Sequence, residues 1–299
     1  MRLLITALLG LALVTNACGR STPDLPPISE FPAPGDPPKI VLKQAGQGVT
    51  TLAFAPTAGQ KDEVAMVMDM DMSVSMMGQS MNMVMGIDSD LINTIDEVKD
   101  DKSFVEKSLI ANAKVTVGGD AAAAMGGQTS QISDMMNGQT TVVTMDPRGR
   151  VISMEMPDNP VMKQFGGGFD SALKGSGVSF PEQPVGVGAT WQTLSRIDLM
   201  GINMRFVAEY ELLSLEGKQG KASIRMRGGL NDGESGKLDA MPGAELSAMS
   251  FEATGTIAFD LDHPGRSAID LEMKMGAEIK AADEKGSIDL KMKMKLDPK

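Results

Sequence analysis

The clearest hydrophobic pattern in the chain is an uninterrupted alternation from Val64 to Met76. Apolar side chains, mostly methionine, occupy every second position, and the positions between them include Asp69 and Asp71. A period of two over this length is typical of a β-strand with one buried face. The alternation resumes after residues 77–80, which predicts a hairpin with a four-residue loop.

The C-terminal part of the chain repeats this design in three alternating segments, 251–261, 269–279 and 288–296. Turn-forming residues separate the segments and predict two further hairpins, in which Met273 lies opposite Met294. The other face of these strands carries charges of both signs, which predicts a solvated surface that resists aggregation. This surface includes Lys291, Lys293 and Lys295.

Strands of this length are roughly twice the usual one, and long strands make a sheet twist and curl. We therefore predict a mainly β fold, with long antiparallel hairpins that form one or two strongly curved sheets or a partial barrel. One short helical segment is expected near 160–173. The expected parts are an N-terminal β lobe at 40–156, a connecting helix and loop at 157–189, and a C-terminal β lobe at 190–299. A single continuous architecture is the favoured arrangement, and two separate cores are the alternative.

The N-terminus has the features of an export signal. Residues 1–17 contain a short apolar run, Leu3–Val14, which suits a secretory signal peptide and is too short for a permanent membrane helix. The small residue before Cys18 resembles the lipobox of bacterial lipoproteins, which implies cleavage before Cys18 and its acylation. Gly19 then implies sorting to the outer membrane, and residues 18–39 form a proline-rich tether. We expect a lipid-anchored protein of the bacterial envelope, with ordinary secretion as the alternative.

Composition removes several classes of function. The 28 Lys+Arg against 39 Asp+Glu give a net charge of -11, which argues against a nucleic-acid partner. One Cys and one His are too few for the usual zinc, haem or iron–sulfur ligand sets. Neither GxSxG, a P-loop nor HExxH occurs, so we expect no catalytic residue, no cofactor and no enzymatic activity. His263 is interpreted as a turn residue, and Asp69 with Asp71 as a solvated pair.

Methionine is the unusual component, at 26 of 299 residues. One apolar face is expected to carry Met66, Met68, Met70, Met72, Met81, Met83, Met85, Met273, Met275, Met292 and Met294. These side chains fill a core, form a face for an apolar small molecule or an envelope partner, or serve as a Cu(I) or oxidant buffer. In the copper interpretation, Met72 and Met85 meet across the first hairpin.

Several landmarks together carry a family resemblance. The methionine-rich hairpin has MGQ at its turn, and it is followed by MDPRGRV and FPEQPVGVGATW. The chain thus resembles a family of uncharacterised bacterial envelope lipoproteins, which implies a lipid-anchored, all-β protein without an assigned activity. The expected curved sheet is also similar to that of lipoprotein-localisation carriers. We predict a non-enzymatic outer-membrane lipoprotein that binds an apolar ligand or an envelope partner. The alternatives are the methionine buffer and a purely structural protein.

Overall fold

The computed structural model describes part of the chain, and three sequence predictions fall outside that part. The described residues are 25–34, 36–76, 79–120, 122, 129–155, 178–199, 202–230, 235–237, 244–281 and 284–299. The signal peptide predicted at 1–17, the lipidation site Cys18 and the helical segment predicted near 160–173 lie outside the described residues.

Strands dominate the described residues, as the alternating patterns predict. They are β1 (Lys39–Gln44), β2 (Gln47–Thr50), β3 (Lys61–Met76), β4 (Gln79–Val98), β5 (Phe104–Gly119), β6 (Thr140–Met145), β7 (Val151–Glu155), β8 (Val185–Val187), β9 (Thr190–Leu199), β10 (Ile202–Glu216), β11 (Gln219–Leu230), β12 (Gly236–Lys237), β13 (Ala244–Asp260), β14 (Ala268–Ala281) and β15 (Glu284–Pro298). An α-helix, α1 (Thr129–Met136), and two 3-10 turns, Ile28–Glu30 and Pro264–Arg266, complete the described elements.

A single large antiparallel sheet joins the two halves of the chain. Its order is β1-β9-β10-β11-β13-β14-β15-β3-β4-β5-β6-β7, with β12 paired to β13, and β2 and β8 form a separate small sheet. The C-terminal strand β15 pairs along its length with β3, so the two predicted lobes are continuous through backbone hydrogen bonds. Because β1 and β7 each have one neighbour in this order, the sheet is not closed. The prediction of a mainly β fold is confirmed. Of the predicted alternatives, the structure has the one with a single large sheet.

The registers of the hairpins differ from the predicted ones by two residues. β3 ends at Met76 and β4 starts at Gln79, so the connection is shorter than the predicted loop, and Met72 faces Met83. In the last hairpin Met273 faces Met292 where the sequence suggested Met294. Long alternating segments admit every register that differs by two residues, since each keeps the apolar side chains on one face. Each strand therefore has its apolar and polar faces as predicted, although the opposed residue pairs differ from the predicted ones.

Strand β5 has an irregular pairing with β4 on one side and a covered edge on the other. A bulge near Asp88–Asp90 in the β4–β5 pairing is accompanied by a φ of 54° at Asn112 of β5. Beyond the short strand β6, helix α1 covers this edge: the amide of Val115 donates to Ser133 Oγ at 3.0 Å, and the amide of Ala113 donates to Asn137 Oδ1 at 2.7 Å. These side chains satisfy backbone donors that an uncovered edge would expose.

The buried core lies on one side of the sheet and gathers strands from both of its halves. Ile95 and Phe104 of β4 and β5 belong to the same buried cluster as Trp191 and Tyr210 of β9 and β10. Strands so far apart in the sheet order meet only if the sheet curves strongly round a common centre. We call this side the inner face, and the opposite side the outer face.

The described part of the predicted tether packs on the outer face. Phe31 is buried with Leu194 and Val207, whose positions alternate with those of the inner core residues. Arg205 Nη1 donates to the carbonyl of Pro26 at 3.1 Å, and its guanidinium lies 6.0 Å from the centre of the Phe31 ring. The segment from residue 25 onwards is thus attached to the folded body.

Candidate functional site

The predicted methionine side chains share the inner face, but they are covered less than the sequence suggested. Met66, Met68, Met70, Met72, Met83, Met85, Met273, Met275, Met292 and Met294 are half-buried, and Met81 is 59% exposed. We call these eleven residues the methionine face. The alternation predicts burial of Met68, Met70, Met72, Met83, Met273, Met275, Met292 and Met294, and this prediction is wrong, because all eight are only half-buried. The reason is that the buried cluster is centred on other strands, β9 to β13, and on the loops packed against them.

The other side of the same strands is solvated, as predicted. Asp69, Asp71, Lys291, Lys293 and Lys295 are all exposed. Charged pairs form across the outer face of the strands, for example Lys293 Nζ with a carboxylate oxygen of Glu272 at 2.8 Å, which raises the pKa of Lys293 and lowers that of Glu272. The alternation of faces in β3 and β15 is therefore the one that the sequence indicates.

Methionines oppose one another across strands in the methionine face. Met273 faces Met292, Met292 faces Met70, and Met70 faces Met85. The pair proposed from the sequence for copper, Met72 with Met85, is wrong as a directly opposed pair, because Met72 faces Met83. The error follows from the two-residue difference in the register of the β3–β4 hairpin.

An aromatic cluster closes one end of the inner face. The ring of Phe54 lies 6.3 Å from that of Phe104 and 5.2 Å from that of Phe180, and Phe180 lies 5.0 Å from Phe259. These separations are those of packed aromatic pairs. The chain of rings runs from β5 through two loops to β13, so the loops fill the space between the two halves of the sheet at this end.

Two of the sequence landmarks meet beside this aromatic cluster. Arg148, in MDPRGRV, forms an ion pair with Glu182, in FPEQPVGVGATW, at 2.7 Å, and its carbonyl accepts from the amide of Phe180 at 2.8 Å. Gly149 has a φ of 80°, and a Cβ there would lie 2.2 Å from the carbonyl oxygen of Val178. The glycine is required by close packing, so these motifs have a structural role that the sequence did not reveal.

A buried polar cluster joins β3 to the turn before β14. The carboxylate of Asp62 is buried, and its oxygens lie 3.0 Å from His263 Nδ1 and 3.0 Å from Gln60 Nε2. Nearby, Asn93 Nδ2 donates to the carbonyl of Gly265 at 2.8 Å. Sequence inspection found no partner for His263, because Asp62 lies 201 positions away along the chain.

Glu106 is the most perturbed carboxyl near this cluster. Burial, followed by the nearby charge of Asp62, raises the pKa of Glu106 to about 7. Its Oε2 atom is buried and has no hydrogen-bond partner, while Ser108 Oγ donates to Asn93 Oδ1 at 2.7 Å. A protonated Glu106 carries a donor of its own and avoids placing a second negative charge beside Asp62. No alternating pattern distinguishes this glutamate from the exposed ones.

Two further findings concern metals and membranes. Among the residues that the structure describes, no group of three or more His, Cys, Asp or Glu side chains is arranged to hold a metal ion. No helix within the described ranges is both long and apolar enough to cross a membrane. The half-buried methionine face is the candidate site.

Comparison with known proteins gives little support for a relationship. No protein-family model matches the chain, and no curated protein matches it. Among solved structures, the chain has a similarity to an outer membrane channel from Pseudomonas putida F1, with a TM-score of 0.20 and 10% identity. The alignment covers 82% of this chain and 97% of that chain. A TM-score this low does not indicate a shared fold.

Proposed function

We propose that the protein is a non-enzymatic envelope lipoprotein that binds an apolar chain, such as a lipid acyl chain, along its methionine face. The observation that carries the proposal is the half-buried state of this face. Methionines in a core would be fully buried, whereas a strand face exposed to solvent would carry polar residues in their place. Contiguous apolar surface of this kind marks a binding site in soluble proteins.

The neighbours of the methionine face support an elongated apolar ligand. The face continues without a polar break from Met273 and Met275 to their partners in β13, Ala253 and Phe251, which are buried. At the end closed by the aromatic rings, the inner face is filled by side chains. A chain bound on the methionine face would therefore contact flexible thioethers along its length and end at the packed aromatic side chains. Methionine suits this role because its unbranched side chain adapts to irregular shapes.

The membrane attachment belongs to the same proposal. Acylation of Cys18 would hold the protein at the outer membrane, as the lipobox resemblance implies, and would keep the methionine face close to a supply of acyl chains. The envelope localisation and the family resemblance remain expectations from the sequence.

A pair of neighbouring residues on β4 tests the ligand proposal. Met83 lies on the methionine face, and Val84, 42% exposed, lies on the outer face. Extraction of the purified full chain with organic solvent should release a stoichiometric lipid, and a fluorescent fatty acid should bind to the extracted protein. Met83→Glu should weaken fatty-acid binding at least tenfold, because a carboxylate on the methionine face must be desolvated by the ligand. Val84→Glu should leave it unchanged.

The single tryptophan provides the folding control for both variants. Trp191 is 1% exposed, stacks on Tyr210 with ring centres 5.3 Å apart, and lies away from β4 in the sheet order. Its emission should match that of the wild type in each variant. A native-like Met83→Glu protein that still binds the fatty acid normally would refute the proposal. A wild-type protein that neither contains nor binds lipid would favour a purely structural role.

A further inference from the structure

Four methionines form a straight row across four adjacent strands of the methionine face. The successive partners are Met273 of β14, Met292 of β15, Met70 of β3 and Met85 of β4. Adjacent strands lie about 4.8 Å apart, and directly opposed side chains have Cβ atoms about 5 Å apart. The sequence does not reveal this row, because it requires the pairing of β15 with β3.

The geometry of the row allows sulfur atoms to converge. Methionine has three rotatable bonds, so the thioethers of two opposed residues can turn toward the gap between their strands. Neighbours along one strand are about 6.6 Å apart and are poorly placed to share an ion. In the row, Met292 and Met70 face each other at the centre, and Met273 and Met85 flank them. All four residues are half-buried, so the row is not enclosed in the core.

The donor chemistry selects one class of cation. Thioether sulfur is a soft, neutral donor and suits Cu(I), whereas Zn(II) prefers imidazole, thiolate or carboxylate ligands. The strands on this face place apolar residues beside the row, such as Leu290 and Leu271, and the charged residues of β15 lie on the outer face. Burying a divalent ion without a counter-charge costs far more than burying a monovalent one.

We propose that Met273, Met292, Met70 and Met85 form a binding site for a soft monovalent cation of the Cu(I) and Ag(I) class, centred between Met292 and Met70. This site lies within the methionine face, but its argument does not depend on the proposed binding of an apolar chain. These four residues differ from the pair suggested by the sequence, Met72 and Met85, because the strand pairing determines which methionines lie opposite one another.

Silver titration tests the site without any redox step. The full chain is compared in three forms, all carrying Cys18→Ser so that no thiol competes: the parent, Met70→Leu with Met292→Leu, and Met66→Leu. Met66 is the matched control, because it lies on the same strand and face and is also half-buried, but its partners are Leu296 and Ser89. Methionine methyl groups labelled with carbon-13 report the position of the ion.

The parent and the Met66→Leu chain should each bind one Ag(I), with shifts concentrated on the methyl groups of the row. The double variant should lose at least tenfold in affinity, and Zn(II) should shift none of these signals. Equal losses in the double and control variants, shifts spread evenly over all methionines, or no stoichiometric uptake by the parent would each overturn the proposal.

Fatty-acid binding by the parent separates this proposal from the proposed function. Met70 and Met292 also belong to the surface proposed for the apolar chain, so fatty-acid binding by the double variant is not a control. Loss of silver binding in the double variant, with normal silver binding in the Met66→Leu chain, supports the cation site. Failure of fatty-acid binding in the parent refutes the proposed function and leaves the silver result to be judged by itself.

Discussion

At the scale of single residues, the largest pH effect is expected from Glu106. Its pKa in the folded protein is about 7, above an ordinary value of 4.5, because the carboxyl is buried and Asp62 is nearby. A raised pKa means that the folded state holds the proton more tightly than the unfolded state. The contribution to stability is fully present below pH ~4.5 and is lost as the pH rises through about 7.

Glu106→Gln should remove this part of the pH dependence. Each pKa unit corresponds to ~1.4 kcal/mol, so the free energy of unfolding of the wild type should fall by about 2 kcal/mol more than that of the variant between pH 5 and pH 8. Urea unfolding at several pH values, followed by the fluorescence of the single tryptophan, measures the difference. Parallel curves for the two proteins would show that Glu106 has an ordinary pKa.

The cluster around Glu106 also shows a limit of sequence inspection at this scale. His263 was interpreted as a turn residue without a partner, yet its Nδ1 lies 3.0 Å from Asp62 Oδ1. Nothing near either residue in the chain indicates the contact, because it depends on the pairing of distant strands, which brings the turn before β14 to the start of β3. Local patterns predict which face a residue occupies, but not which distant turn covers it.

At the scale of elements, the two faces of β3 should respond differently to substitution. Met70 is half-buried on the inner face, and Asp71 is exposed on the outer face. Met70→Asp should lower the free energy of unfolding by roughly 2 kcal/mol, because it places an unpaired charge among apolar side chains. Asp71→Ser should change it by less than ~0.5 kcal/mol. Urea unfolding measures both, and equal effects would mean that the faces are reversed.

An alternation with a period of two predicts the two faces of each strand, but neither the register nor the order of the strands. Alternation correctly separated Met70 from Asp71 and Met292 from Lys291, because burial on one face imposes it on each strand alone. It could not fix the register, since a shift of two residues leaves every face intact. Nor could it show that β15 lies beside β3, because these strands are far apart in sequence and no turn joins them. The row of four methionines depends on both of these missing facts.

At the scale of the whole molecule, the docked N-terminal segment leaves few residues between the folded body and the proposed lipid anchor. The sequence predicted a tether through residue 39, but Phe31 is buried against the outer face and Arg205 binds the carbonyl of Pro26. Only residues 19–24 separate Cys18 from Leu25 in the sequence. A peptide of that length reaches roughly 20 Å at ~3.1 Å per residue. A lipid on Cys18 would therefore hold the sheet close to the membrane surface.

Replacement of the anchor residue tests this arrangement in the whole protein. If Cys18 is acylated, the membrane-extracted wild type should have an intact mass above that of the chain from Cys18, by the mass of its acyl groups. Cys18→Ala should release the body into the soluble fraction. Its melting temperature should stay within about 2 °C of the wild type, since the contacts that attach the N-terminal segment are made by Pro26 and Phe31. The docking of Phe31 should persist, because its partners Leu194 and Val207 belong to the sheet. An unmodified Cys18 in the wild type, or a variant that stays in the membrane fraction, would contradict the lipid anchor and with it the proposed proximity of the methionine face to the bilayer.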